Sequence, residues 1–189
     1  MHTPYPDPHR NPWTRVMRRT VYENPWITVW EDQVTRPDGR PGIYGVVHFR
    51  HRAVGVVALD EADRVLLVGQ YRYTLDAYSW EIPEGGAALD EEPLAAAQRE
   101  LLEETGYTAQ RWEEIARAHT SNSVTDEEAI CYLARELSPG PAAPEPTELL
   151  QVRWVPFADA LRMTAAGEIT DALSILSLQR VALLRQRGG

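Results

Sequence analysis

The sequence predicts an α/β fold, a mixed sheet covered by helices on its faces, with a small antiparallel β unit ahead of it. Three observations predict it. Residues 16–50 are strand-like throughout, the hydrophobic period changes from two to 3.6 beyond Pro83, and the chain returns to strands before closing on two helices. In order, residues 1–15 read as an extended arm, with four prolines up to Pro12. Within 16–50, Val21, Tyr22, Trp26, Ile27, Val29 and Trp30 supply β-branched and aromatic content. The cluster Arg36-Pro37-Asp38-Gly39-Arg40-Pro41-Gly42 joins one strand to the next. A second domain, 51–189, opens on two apolar runs, 53–59 and 64–71, separated by Asp60-Glu61-Ala62-Asp63. Residues 78–82 form a short strand that Pro83 ends. Residues 90–104 read as a helix, with Asp90 as its cap, Pro93 in its first turn and Gly106 just past its end. Strands follow at 112–118, 129–137 and 150–155, with a four-proline surface loop at 138–147; helices follow at 157–166 and 170–187.

Composition narrows the function. An apolar fraction of 43% supports a real core, and the formal charge of −9 argues against nucleic-acid and anionic-membrane partners. A small phosphate-bearing substrate stays open if a cation mediates the contact. All 19 basic residues are Arg, which excludes Schiff-base and lysine-base chemistry. Selection of Arg for phosphate binding is one reading, and a global codon or thermal bias is the plainer one. Cys131 is the single cysteine, so neither an intrachain disulfide nor a thiolate metal cluster is available. It lies in the apolar run 129–133 and reads as a buried, inert thiol. The polar, proline-rich N-terminus has no apolar signal core, and no stretch approaches the ~20 apolar residues of a membrane span. The expected location is the cytoplasm.

The helix at 90–104 carries the chemistry. At about 100° per residue, Leu94, Ala95, Ala97, Leu101 and Leu102 fall on one side and form the expected packing face. Glu100, Glu103 and Glu104 fall together beside it, at i, i+3 and i+4. Like charges at this spacing cost about 0.2–0.5 kcal/mol per pair. Acids at a helix C-terminus also oppose the macrodipole, for another ~0.3–1 kcal/mol each. Arg99 can pair with one of these carboxylates but hardly with three. A hard divalent cation, bound through oxygen, suits the cluster. The alternative is a solvated acidic face.

From Gly85 to Tyr107 the sequence resembles the Nudix box: Gly85, five residues, Glu91, seven residues, Arg99-Glu100, Leu101, one residue, Glu103-Glu104, one residue, Gly106. Tyr107 is a loose fit to the aliphatic slot that closes it. The resemblance implies an α/β/α sandwich and a divalent-metal hydrolase, with Mg²⁺ as cofactor and Mn²⁺ as a possible substitute. It implies that the carbonyl of Glu84, freed by a sharp turn at Gly85 and Gly86, binds the first ion with Glu100 and Glu104. Glu103 helps hold further ions. Glu91 and Arg99 would form an ion pair orienting the loop against the helix, and Arg99 is also counted with the catalytic group.

Beyond the box the chain is similar to the branch that hydrolyses ADP-ribose and other nucleoside diphosphate sugars. Gln70-Tyr71-Arg72 followed by Trp80-Glu81-Ile82-Pro83-Glu84-Gly85 resembles that branch's approach to the box, and so implies Arg72 on the diphosphate and Glu81 in substrate binding. The N-terminal unit resembles the small domain through which these enzymes form homodimers and hold the base, with Trp26 as substrate contact and Trp30 as packing. The run from Gly167 to Ile175 matches the opening of the branch's last helix. The run Ser121-Asn122-Ser123-Val124-Thr125-Asp126-Glu127 departs from the branch, which places Ser-Pro-Gly before an acid, although Glu127 still falls near the expected ribose.

The catalytic base implied is Glu148, with Glu145 second and Glu103 a candidate within the box. His119, near the substrate loop, reads as a plain hydrogen-bonding residue. The expected reaction converts ADP-ribose to AMP and ribose 5-phosphate. A GDP- or ADP-linked hexose is the next substrate and a nucleoside triphosphate the third. A Nudix-like ligand-binding regulator is the non-enzymatic alternative.

Overall fold

The computed structural model describes residues 10–140 and 149–187. The chain divides into two compact units, Met1–Arg50 with Ser121–Asp126, and His51–Thr120 with Glu127–Gly189.

The first unit is an antiparallel meander of β1 (Thr14–Glu23), β2 (Ile27–Thr35) and β3 (Pro41–Phe49), in the order β1-β2-β3. β1 starts at Thr14, inside the stretch read as an arm. Asn24 makes the first turn by accepting the N–H groups of Trp26 and Ile27 on Oδ1, at 2.9 and 2.8 Å. Trp26 therefore sits in a bend, outside β2. The second turn lies in the expected cluster, with Gly39 left-handed at φ 81°.

The second unit begins with β4 (His51–Ala58), β5 (Arg64–Arg72), a 3-10 turn (Tyr73–Leu75), β6 (Ala77–Glu81) and β7 (Glu84–Ala88). It continues through α1 (Pro93–Thr105), β8 (Tyr107–His119), β9 (Glu128–Pro139), β10 (Gln151–Pro156), α2 (Phe157–Ala166) and α3 (Ala172–Arg187). One sheet runs β7-β4-β9-β8, with β4 and β9 parallel and the remaining pairs antiparallel; the other runs β10-β5-β6 and is antiparallel. The sheet is therefore mixed, as expected. β4 is apolar on both faces because both are covered. Val54 and Val56 pack with Ala96, Ala97 and Leu101 of α1, while Val57 packs in the cluster of Phe157, Ala160, Leu173 and Leu178 from α2 and α3. Helices on both faces make the sandwich. No helix among the described residues is long and apolar enough to cross a membrane.

Three local expectations are corrected. The cap of α1 is Glu92, not Asp90, with no side-chain bond, and Pro93 opens the helix where its missing N–H costs nothing. The packing face of α1 is Ala96, Ala97, Leu101, Glu104 and Thr105, whereas Leu94 is exposed. Small alanines let the helix approach the sheet, which turns Glu104 inward. Gly85 and Gly86 do not turn the chain; both lie in β7, paired with Val54 and Ala53, and neither has a positive φ.

Candidate active site

The reason for Gly85 is the helix facing it. A Cβ there would collide with the carboxyl group of Glu100, so only glycine lets that side chain lie against the strand. Immediately before it, the backbone N–H of Glu84 donates to Glu104 Oε2 at 3.0 Å. Two turns of α1 are thus tied to one end of β7, one by close approach and the other by a charge-assisted hydrogen bond.

Arg99 pairs with two of the three acids of the strip, Glu100 and Glu103, but not with Glu104. Its Nη1 donates to Glu100 Oε1 at 2.7 Å and Glu103 Oε2 at 3.0 Å, its Nε to Glu91 at 3.3 Å, and its Nη2 to the Gly86 carbonyl at 2.9 Å. A planar fork with five donors makes this possible. Burial works against its charge, but the hydrogen bonds and fields of Glu91, Glu100 and Glu103 outweigh it and raise its pKa. The same contact holds Glu91 below the ordinary carboxylate range. Glu91 and Arg99 thus bind the loop before α1 to the helix.

A second arginine site lies at the ends of β5 and β6. Arg72 Nε donates to both oxygens of Glu81, at 2.9 and 3.1 Å, and Nη2 to Glu81 at 2.6 Å and Glu84 Oε1 at 2.8 Å. Glu81 is only 3% exposed, and Gln70 also reaches it at 3.4 Å. Glu81 thereby holds the Arg72 guanidinium in place. Nη1 of Arg72 donates to none of the described residues.

Asp171 lies within the run from Gly167 to Ile175, just ahead of α3. It accepts the Ser174 N–H at 2.7 Å and so caps α3, a signal legible as an acid three residues before a helical serine. It also faces Glu84. Burial first, then the fields of Asp171 and Glu81, push the Glu84 carboxyl well above its usual range despite Arg72, and a contact with the Asp171 carboxyl adds to this. Glu84 Oε2 is buried without a partner in hydrogen-bond geometry.

Glu127 sits between β8 and β9, and the Thr120 hydroxyl donates to it at 2.6 Å. Glu145 and Glu148 lie outside the described residues. Trp26 belongs to the first unit and is 66% exposed, whereas Trp30 stacks on His48 and carries the Arg18 guanidinium over its ring. Cys131 is buried, and burial first raises its thiol pKa, as fits an inert side chain. His119 is exposed at the end of β8.

Comparison with known proteins decides the family. The NUDIX domain matches residues 49–173, and the nucleoside diphosphate sugar hydrolase N-terminal domain matches residues 13–47. The chain belongs to the Nudix family. It is a Nudix hydrolase, and its N-terminal unit is of the nucleoside diphosphate sugar hydrolase type. An ADP-ribose pyrophosphatase of Bacillus subtilis (strain 168) is 32% identical, over 89% of this chain and 91% of its own. The ADP-ribose pyrophosphatase of Mycobacterium tuberculosis is 33% identical, over 88% and 81%. A GDP-mannose pyrophosphatase of Yersinia pestis is 33% identical over 61% and 62%. A crystal structure of an ADP compounds hydrolase shares the fold, with a TM-score of 0.85 at 21% identity over 94% and 96% of the chains.

Nudix hydrolases generally use a divalent metal ion, and the Nudix residues present here fit one. The donor set is oxygen only, the acids around α1 outnumber Arg99, and a buried Glu84 oxygen lacks a partner. With Arg99 between Glu100 and Glu103, the described acids do not converge as a ready set of three ligands.

Proposed function

We propose that this Nudix hydrolase cleaves the diphosphate of a nucleoside diphosphate joined to a sugar, with ADP-ribose as first substrate and AMP and ribose 5-phosphate as products. The observation that carries the reading is the pairing of an acidic strip with a held arginine. Glu100, Glu103 and Glu104 end one helix, and Arg72 keeps Nη1 uncommitted within the same unit. Arg72 contacts the diphosphate, pre-oriented by Glu81, so little order remains to be imposed when substrate arrives. A divalent ion, magnesium or manganese in its place, held by Glu100, Glu104 and the Glu84 carbonyl with Glu103 assisting, supplies charge neutralisation at the phosphoryl oxygens. Glu148 takes the proton of the attacking water, with Glu145 and Glu103 as the other candidates; Glu103 is 34% exposed and tethered by Arg99. Glu127 meets the ribose, and Trp26, fixed by the Asn24 turn, offers its exposed indole to the base.

The N-terminal unit is the proposed homodimer contact. All ten residues of β1 are exposed, including Val16, Met17, Val21 and Tyr22, on an edge strand that a second copy would cover. The cytoplasm is the proposed location, consistent with the free Cys131 thiol. A GDP- or ADP-linked hexose is the second reading, favoured by the similarity to GDP-mannose pyrophosphatases. Turnover of ADP-ribose, ADP-glucose, GDP-mannose and nucleoside triphosphates, followed by product detection, separates these. The reading predicts ADP-ribose in first place, and preferred triphosphate hydrolysis would overturn it.

A further inference from the structure

Between β8 and β9, residues 121–126 leave the unit that contains both strands and pack instead with the first unit. This segment contains neither proline nor glycine, so nothing in its own backbone composition stiffens it. It is nevertheless held closely along β3. Val47 N–H donates to the Val124 carbonyl at 2.8 Å, Asp126 N–H to the Val47 carbonyl at 3.4 Å, and Val47 forms a parallel bridge with Thr125. Tyr44 donates its hydroxyl to the Ser123 carbonyl at 2.9 Å. The loop therefore satisfies part of an otherwise open sheet edge.

Asp126 is the charged fixing point. One oxygen accepts the Phe49 N–H at 3.1 Å, and the other meets His48 Nδ1 at 2.6 Å. An ionised carboxylate only accepts, so Nδ1 carries the proton. Packing fixes the imidazole from behind. Trp30 stacks on His48 at 4.6 Å and 13°, the Arg18 guanidinium lies over the Trp30 ring at 3.8 Å, and buried Asp32 accepts two bonds of 2.7 Å from Arg18. Four side chains thus lead across the sheet to one loop carboxylate. The next residue is Glu127, which Thr120 ties at the base of the same loop.

We propose that His48 and Asp126 are positioning residues for substrate binding, clamping the loop 121–126 and thereby setting Glu127. The inference rests on the nucleotide-sugar reading above, in which Glu127 meets the ribose. Because they act through Glu127 at the ribose, their loss acts on binding rather than on bond cleavage.

Two measurements on the full chain test it: amide hydrogen exchange of residues 121–127, and steady-state kinetics with ADP-ribose and magnesium. His48→Ala and Asp126→Asn should each speed loop exchange about tenfold and raise KM about fivefold or more, with kcat within about twofold of wild type. His48→Asn keeps an N–H donor at the Nδ1 position and should restore much of both. The Asp126 side chain is 46% exposed, so Asp126→Asn keeps the test open should His48→Ala fail to fold. Unchanged exchange, unchanged KM, or a fall confined to kcat overturns the proposal. Absence of turnover by wild type on any nucleotide sugar overturns the functional reading and the binding role with it, and loop exchange then decides the clamp alone.

Discussion

Arg72 and Arg99 are both ringed by glutamates, yet they differ in what each has left to give. Arg99 spends Nε, Nη1 and Nη2 on Glu91, Glu100, Glu103 and the Gly86 carbonyl, all within the loop and helix it joins. Arg72 spends Nε and Nη2 on Glu81 and Glu84, and its Nη1 meets none of the described residues. One guanidinium is consumed by holding the site together. The other is held by the site with one nitrogen to spare among the described residues, which the proposed function gives to the diphosphate. The same residue type thus serves as scaffold or as instrument, according to which of its nitrogens the fold engages.

The comparison can be broken in several ways. The largest effect belongs to the carboxylate that anchors the strip to β7. Glu104→Gln should keep accepting the Glu84 N–H, fold normally and lose hydrolysis by about 10²–10³-fold or more, measured as kcat with magnesium. Next, Arg72→Gln should lower kcat/KM by about 10²-fold, while Arg99→Gln lowers it by only about 10-fold and costs more in melting temperature. The reverse ranking would exchange the two assignments. Gly85→Ala drives a methyl into the Glu100 carboxyl group and should reduce kcat about 10-fold with the fold retained; an unaltered rate would show that Glu100 need not lie there.

A third arginine supplies the smallest effect, read in stability rather than in turnover. Arg18 bonds buried Asp32 and holds its pKa below the ordinary range, an effect that outweighs burial. A depressed folded-state value stabilises above the unfolded value of about 3.9 and is lost as pH falls through the folded one. Wild type should therefore lose stability on acidification below about pH 4. Asp32→Asn should lack that component and be weaker at pH 7 by about 1–3 kcal/mol in denaturant unfolding. Equal stability of the two proteins at pH 7 would remove the ion pair from the account.

Much of this was legible in the residues. The apolar run 53–59, the switch of period and the late helices disclosed the sandwich, because each is a local consequence of which faces are buried. The acidic strip was legible too, since three acids crowded at one helix end run against both charge repulsion and the dipole. What escaped was non-local. The inward turn of Glu104 depends on how closely Ala96 and Ala97 let α1 approach the sheet. The need for glycine at 85 depends on Glu100, fifteen positions away. Asp171 meets Glu84 only after α3 has folded back, and helical spacing did not show that Arg99 bridges Glu100 and Glu103 while also holding Glu91.

Binding of Mn²⁺, followed by electron paramagnetic resonance in wild type and Glu104→Gln, tests the central claim most directly. The account predicts saturable binding in wild type that rises in step with ADP-ribose hydrolysis, and a loss of that binding in the variant. Equal Mn²⁺ binding in the two proteins, or undiminished hydrolysis in a chelator, would contradict it.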